Sequence, residues 1–276
     1  MANIFGTNGA DTRAGDGAAD LVSGGTQQNA GADTGSDTLD GGGGNDTVLG
    51  WGARDDMGGN GGNDSLDGGD GGDYVTGGTG SDTLKGGLGD DELRAEGELA
   101  GLAEDLGTRN RLEGGAGNDT LVGEAGIDLL LGEDGNDSLL GGADVDDLRG
   151  GAGADSLAGE AGNDKLLGGT GADRFLFGGP GEGRDVVKDF TEGEDLLVLS
   201  AAGFGGGLVA GGPLDPGAFE ANNAGKATDA DTRVVWEADS GRVWWDADGS
   251  GDAGRVLVAI LKGTPDLSAF DILIGA

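Results

Sequence analysis

The chain has no cysteine and no histidine. The first absence excludes a disulfide framework, a thiol nucleophile and zinc-thiolate sites. The second removes the commonest general base, the Ser-His-Asp triad and HExxH-type zinc catalysis together. Proline is scarce, at 4 residues, and aromatics make up only 4% of the chain. Positive charge is scarce too: 16 Lys plus Arg stand against 52 Asp plus Glu, a formal net charge of −36. Such a chain repels nucleic acid and anionic membrane, and its natural counter-ions are metal cations. Without them, self-repulsion and the low aromatic content should keep much of it unfolded. No stretch approaches the roughly 18 apolar residues of a membrane span. The opening residues, MANIFGTNGADTRAG, lack the basic region and apolar run of a Sec-type signal peptide.

What the chain has in excess is glycine, 67 of its 276 residues. Excess Gly without Pro argues against collagen and against a Pro-rich linker. The glycines are ordered. GGGGNDTVL (41–49) returns as GNGGNDSLD (59–67), GGDGGDYVT (68–76), GGTGSDTLK (77–85) and GGLGDDELR (86–94). After a break it resumes with GGAGNDTLV (114–122) and runs to GGTGADRFL (168–176). The pattern is Gly-Gly-x-Gly-x-Asp-x-U-x, with U apolar. This nonapeptide is a known signature of calcium-binding parallel β-structures, and over most of its length the chain resembles the RTX (repeats-in-toxin) or hemolysin-type calcium-binding proteins. The resemblance implies an all-β protein, a parallel β-roll solenoid with a C-terminal β-rich cap.

The physics of the spacing is readable beside the resemblance. The sixth position is Asp37, Asp46, Asp55, Asp64, Asp73, Asp82 and Asp91 in the first run. In the second it is Asp119, Asp128, Asp137, Asp146, Asp155, Asp164 and Asp173. The eighth is almost uniformly apolar, from Leu39 and Val48 to Leu166 and Phe175. Gly-Gly-x-Gly-x-Asp reads as a turn, since glycine permits positive φ. The last three residues read as a short strand with one inward side chain. Two nonapeptides make one coil, so carboxylates eighteen residues apart stack: Asp46 below Asp64, Asp64 below Asp82. Bare, they repel. A Ca²⁺ between coils turns the repulsion into ligation, taking carboxylate and main-chain carbonyl oxygens in flexible geometry. Glycine lets carbonyls approach because no Cβ intervenes. The carbonyls expected to share the ions lie near Gly41, Gly44, Gly62, Gly71, Gly80, Gly89, Gly117, Gly126, Gly135, Gly153, Gly162 and Gly171. About ten ions are expected if every such pair in the two runs is filled, offsetting more than half the net charge.

The interruptions divide the chain. Residues 1–31 read as degenerate N-terminal turns, with Arg13 where an apolar residue belongs. Residues 32–94 are the first roll and 114–176 the second, stacked or adjoining. Within the first, GWGARDDMG (50–58) keeps register but puts Trp51 and Ala53 at glycine positions, so weaker ligation is expected there. Between the rolls, residues 95–113 carry Leu99, Leu102, Ala103 and Leu106 at helical spacing, and read as a short helix or a surface loop. The ninth position turns apolar in the second roll (Val122, Leu131, Leu140, Leu167, Leu176), which suggests an outer surface covered by the C-terminal segment or a partner.

Residues 177–276 are expected to form a cap. RDVVKDFTEGEDLLVLS (184–200) resembles the segment after the roll in serralysin-type RTX proteins. Strands are expected in 232–239, 242–248 and 255–263. The closing SAFDILIGA resembles the family's type I secretion signal, with Asp271 before three apolar residues. DADGSGD (246–252) matches part of an EF-hand loop but has Leu257, not Glu, at the twelfth position, so a hairpin turn is the better reading. Trp236, Trp244 and Trp245 are expected in the cap core, with a sugar-stacking platform as the alternative.

These features favour a calcium-binding β-roll protein that is not an enzyme and has no catalytic residues of its own. The resemblance implies export by a bacterial type I secretion apparatus and folding outside the cell, where Ca²⁺ is plentiful. A structural or adhesive role follows, with extracellular polysaccharide or matrix as a partner. The alternative is an RTX-type secreted enzyme or polysaccharide-binding accessory module. Against it, residues 1–31 leave no room for a catalytic domain, and the carboxylates already have a role as ligands.

Overall fold

The computed structural model describes residues 3–5, 12–15, 17–25, 34–95, 108–249 and 254–276. The central part of the expected insertion, 96–107, lies outside the described residues, so the helix-or-loop question does too.

Each nonapeptide folds as its pattern dictates, but most roll strands run longer than expected, six residues in place of three. Thr47–Gly52 and Ser65–Asp70 take in the apolar segment and the first three positions of the next nonapeptide, and only positions four to six bend the chain into the opposite sheet. Successive roll strands therefore alternate between two sheets, which among the described residues have 14 and 12 strands. Within each sheet the roll strands pair in parallel with the strand one coil away. Thr47–Gly52 pairs with Ser65–Asp70, aligning Val48 with Leu66, and that strand pairs with Thr83–Leu88, aligning Leu66 with Leu84.

A strand shows alternate side chains to opposite faces. Here the eighth-position residue faces inward in every coil. Leu84, Leu112, Leu130, Leu148 and Leu166 form one ladder, and Val75, Leu93, Leu121, Leu139, Leu157 and Phe175 the other, all fully buried. Burying each leucine contributes roughly 1.5–3 kcal/mol. A core one side chain deep per strand explains how a chain with so few aromatics folds.

The two repeat runs form one continuous solenoid. Thr83–Leu88 pairs with Arg111–Ala116, and Glu92–Arg94 pairs with Thr120–Ala125, across the insertion. The N-terminal strands join the same sheets: Asn3–Phe5 pairs with Leu21–Ser23, and Thr12–Ala14 with Thr38–Asp40, which sets half-buried Arg13 in register with Leu39. Trp51 and Ala53 keep their coil in register by adopting φ of 83° and 71°, as Asn60, Glu124, Glu133, Asp144 and Glu160 adopt positive φ where they replace repeat glycines.

The C-terminal region extends both sheets. Asp185–Val187 and then Val256–Leu261 continue one, and Leu196–Ser200 and Ile272–Gly275 continue the other, all in parallel. Arg242–Trp245 and Val234–Glu237 then add antiparallel strands, which ends the parallel winding. This segment thus adds to the ends of the sheets, where open strand edges need partners. The ninth-position side chains face outward as expected, with Leu167 36% exposed while Val122 is buried. Phe204 packs edge-on against Trp245 at 5.3 Å, and Phe175 lies 6.1 Å from Phe190. Trp236 and Trp245 are core residues, but Trp244 lies on the outer face, half-buried. Its strand neighbours Val243 and Trp245 point inward, so alternation alone turns it outward.

Candidate metal centre

The sixth-position aspartates sit where each turn enters its strand, and all fourteen are buried, none more than 4% exposed. Pairing in parallel places each directly over the aspartate one coil away. The two carboxylate oxygens then differ. Oδ1 accepts a hydrogen bond from the main-chain N–H of the aspartate one coil back: Asp46 donates to Asp64 at 2.7 Å, Asp64 to Asp82 at 2.8 Å, Asp119 to Asp137 at 2.8 Å, and Asp137 to Asp155 at 2.8 Å. Oδ2 behaves differently: at Asp64, Asp73, Asp91, Asp119, Asp137, Asp146, Asp155 and Asp173 it is fully buried with no hydrogen bond. A buried carboxylate oxygen left so is costly unless something positive meets it.

The ionisation behaviour agrees. Burial, the largest cause, raises the pKa of each of these carboxyls. The bond from the preceding coil's N–H lowers it again in part, and at Asp91, Asp137, Asp146 and Asp173 the column carboxylates on both sides raise it further. The result is about 6 at Asp73, Asp119 and Asp173, about 7 at Asp91 and Asp137, and about 8 at Asp146. Asp146 feels Asp128 on one side and Asp164 on the other. These columns resist being charged without a counter-ion.

The glycines shape the space around them. A Cβ on Gly59, a first-position glycine, would stand 2.5 Å from Asp64 Oδ2 and 2.5 Å from the carbonyl oxygen of Gly77, one coil on. A Cβ on Gly41 would meet Asp46 Oδ2 at 2.9 Å and the Gly59 carbonyl at 3.0 Å. A carboxylate and a main-chain oxygen thus converge on room that only glycine leaves open. The fourth-position glycines form a further column at each of the two turns. Gly44, Gly62, Gly71, Gly80, Gly89, Gly117, Gly126, Gly135, Gly153 and Gly171 all have positive φ. Along these columns the structure stacks Cα on carbonyl: a Cβ on Gly62 would overlap the Gly44 oxygen at one edge, and at the other a Cβ on Gly89 would overlap that of Gly71 and on Gly135 that of Gly117. Gly162 takes the same place against the carbonyl of Asp144.

This donor set is all oxygen, part carboxylate and part carbonyl, which suits a hard cation of flexible geometry. Among the described residues no three carboxylates gather at one point. A cation between coils would therefore draw on main-chain oxygens as well.

The columns are longer than an eighteen-residue rule shows. Asp20 donates its N–H to Asp46, Asp91 to Asp119, Asp164 to Asp185 and Asp173 to Asp195, across separations of 26, 28, 21 and 22 residues. Asp20, Asp185 and Asp195 are buried members that the nonapeptide count passes over. Each precedes a buried aliphatic by two residues (Val22, Val187, Leu197), and that local signal would have found them. Asn110 takes an aspartate's place after the insertion. It receives the Asp82 N–H at 2.9 Å and donates its own to Asp128 at 2.9 Å.

Two glycine-lined columns of buried carboxylates in a parallel β-roll define a calcium-binding solenoid protein. The family comparison agrees: the RTX calcium-binding nonapeptide repeat matches residues 31–66, 67–97, 113–148, 140–175 and 149–187, together more than half of the chain. The chain belongs to this family of RTX calcium-binding repeat proteins. No curated protein matches it.

Proposed function

We propose that calcium is the folding switch of this protein, and that the chain is exported unfolded through a type I secretion apparatus and folds in the extracellular medium. The observation that carries the reading is the columns of buried carboxylates, with the Oδ2 oxygens of Asp64, Asp73, Asp91, Asp119, Asp137, Asp146, Asp155 and Asp173 lacking a hydrogen bond. A site that exists only when coils stack makes binding free energy into folding free energy. At low Ca²⁺ the −36 chain repels itself and stays extended. At the millimolar Ca²⁺ typical of extracellular modules, weak sites of about 10⁻⁴–10⁻³ M fill.

The candidate signal segment supports this order of events. Ile272 and Ile274 are buried in the sheet, and Asp271 holds the Ser268 N–H and hydroxyl and the Gly193 N–H. A secretion apparatus would read this segment only before folding. The folded protein acts as a non-catalytic scaffold or adhesive module, a role consistent with carboxylates committed to the columns. Far-UV circular dichroism tests the switch: coil is expected in chelator and β structure in millimolar Ca²⁺. The same spectrum in both would sink it.

A further inference from the structure

Cations are rare in this chain, yet they gather on the outer face of the larger sheet's last strands. Register sets Lys165, Val186, Ile260 and Arg242 in one row across neighbouring strands. Lys188 and Lys262 follow the aligned pair Val187 and Leu261, and are exposed side by side in the next row. Neighbouring strands lie about 4.8 Å apart, on the scale of one sugar ring. Beside the first row opens a cavity of about 580 Å³, lined by Arg184, Arg242, Arg255, Trp244, Leu257 and Ile260.

Its polar groups are fixed in advance. The Arg255 guanidinium lies 4.4 Å from the Trp244 ring centre and donates to the carbonyls of Gly225 and Ala224. Glu237 Oε2 accepts from Trp244 Nε1 at 3.2 Å, from Ser240 Oγ at 2.6 Å and from Arg242 Nη1 at 3.4 Å. One carboxylate thus orients the indole and one guanidinium, and three guanidinia still outnumber it. Planar guanidinia bind carboxylate and sulfate in bidentate fashion. The aliphatic and indole walls suit the C–H faces of a sugar better than a bare phosphate chain. A densely charged duplex would also meet the repulsion of the whole molecule more strongly than a polymer with one charge per ring.

We propose that this face binds an acidic polysaccharide, with Arg184, Arg242 and Arg255 holding its carboxylate or sulfate groups in the cavity and the lysine rows guiding the chain. This rests on the adhesive reading above and names its ligand. The test uses the full chain in millimolar Ca²⁺, with circular dichroism confirming the fold before titration calorimetry. The probes are oligogalacturonate, sulfated dextran oligomers, neutral dextran and duplex DNA. Binding to one or both acidic glycans and not to neutral dextran is expected, and which of them binds identifies the anionic group. The double variant Arg184→Ala with Arg242→Gln should bind roughly tenfold more weakly. Arg174→Ala, on the other sheet, should bind as the parent does. Equal binding by the double variant would mean that bound calcium, not the cavity, bridges the glycan, and would overturn the proposal. So would DNA binding as tight as glycan binding, or no glycan binding by a protein that folds in Ca²⁺. A chain that shows no Ca²⁺-dependent folding instead counts against the calcium switch.

Discussion

At the scale of single residues, each column aspartate does two separable jobs. Oδ1 receives an N–H and fixes register, while Oδ2 brings charge to a buried place. Asn110 shows that an amide can do the first job alone. Asp137→Asn should therefore keep the Asp119 bond but lose a charged ligand. The expected result is a metal-free state at least as stable as the parent's and a calcium midpoint about tenfold higher. Asp137→Ala loses the Oδ1 bond too, and should cost a further 1 kcal/mol or so. A calcium titration followed by circular dichroism separates the two. The raised pKa values give a pH dependence with a definite sign. An unfolded aspartate titrates near 3.8, while these rise to between about 6 and about 8. The folded, metal-free roll thus favours the protonated form. Its stability is fullest below about pH 4 and is lost as pH rises through about 6 to 8. In chelator, acidification toward pH 4 should bring out β structure. With calcium, protons compete for the same oxygens, so the calcium midpoint should rise as pH falls through that window. A metal-free spectrum indifferent to pH would contradict this account.

At the scale of the repeat element, the turn depends on glycines more than on any side chain. Gly135 has φ 148° and lies with its Cα against the Gly117 carbonyl. Gly135→Ala should destabilise the calcium-bound roll by about 2 kcal/mol or more, from strain plus overlap with main chain that cannot step aside. Leu139→Ala removes a fully buried rung and should cost about 2–5 kcal/mol. The two should differ in calcium dependence. The glycine change distorts the ion's surroundings and moves the calcium midpoint strongly; the leucine change acts mainly on urea resistance at saturating calcium. The period of nine made the columns and the inner ladders legible, because register and chemistry coincide within an unbroken run. It could not show that Asp91 meets Asp119 or Asp173 meets Asp195, because strand pairing skips over inserted residues that spacing must count. Trp244 departs from the expected cap core for a related reason. An aromatic cluster suggests a core, but the pleat decides which of two adjacent tryptophans faces it.

For the whole molecule, a solenoid has two ends where coils lack a neighbour, and its stability is close to a sum of coil and interface contributions. At the C-terminal end the cap carries the largest side chains of the core. Phe177, Phe190, Phe204, Trp236 and Trp245 are all buried there, whereas the roll has one aromatic rung, Phe175, in its last nonapeptide and none before it among the described residues. The cap also completes the last column partners, Asp185 for Asp164 and Asp195 for Asp173. A chain ending at residue 181 would keep every repeat aspartate named above yet leave the final coils open. Folding should then need several-fold more calcium and should lose steepness, because the coil that nucleates beside a fixed neighbour is gone. Raising sodium chloride should not restore it, since screening relieves repulsion but supplies no ligand. Calcium titrations of the two chain lengths, at low and high sodium chloride, decide the matter. A truncated chain that folds at the same calcium concentration and with the same steepness would show that the roll closes its own end, and that the aromatic cap serves something other than folding.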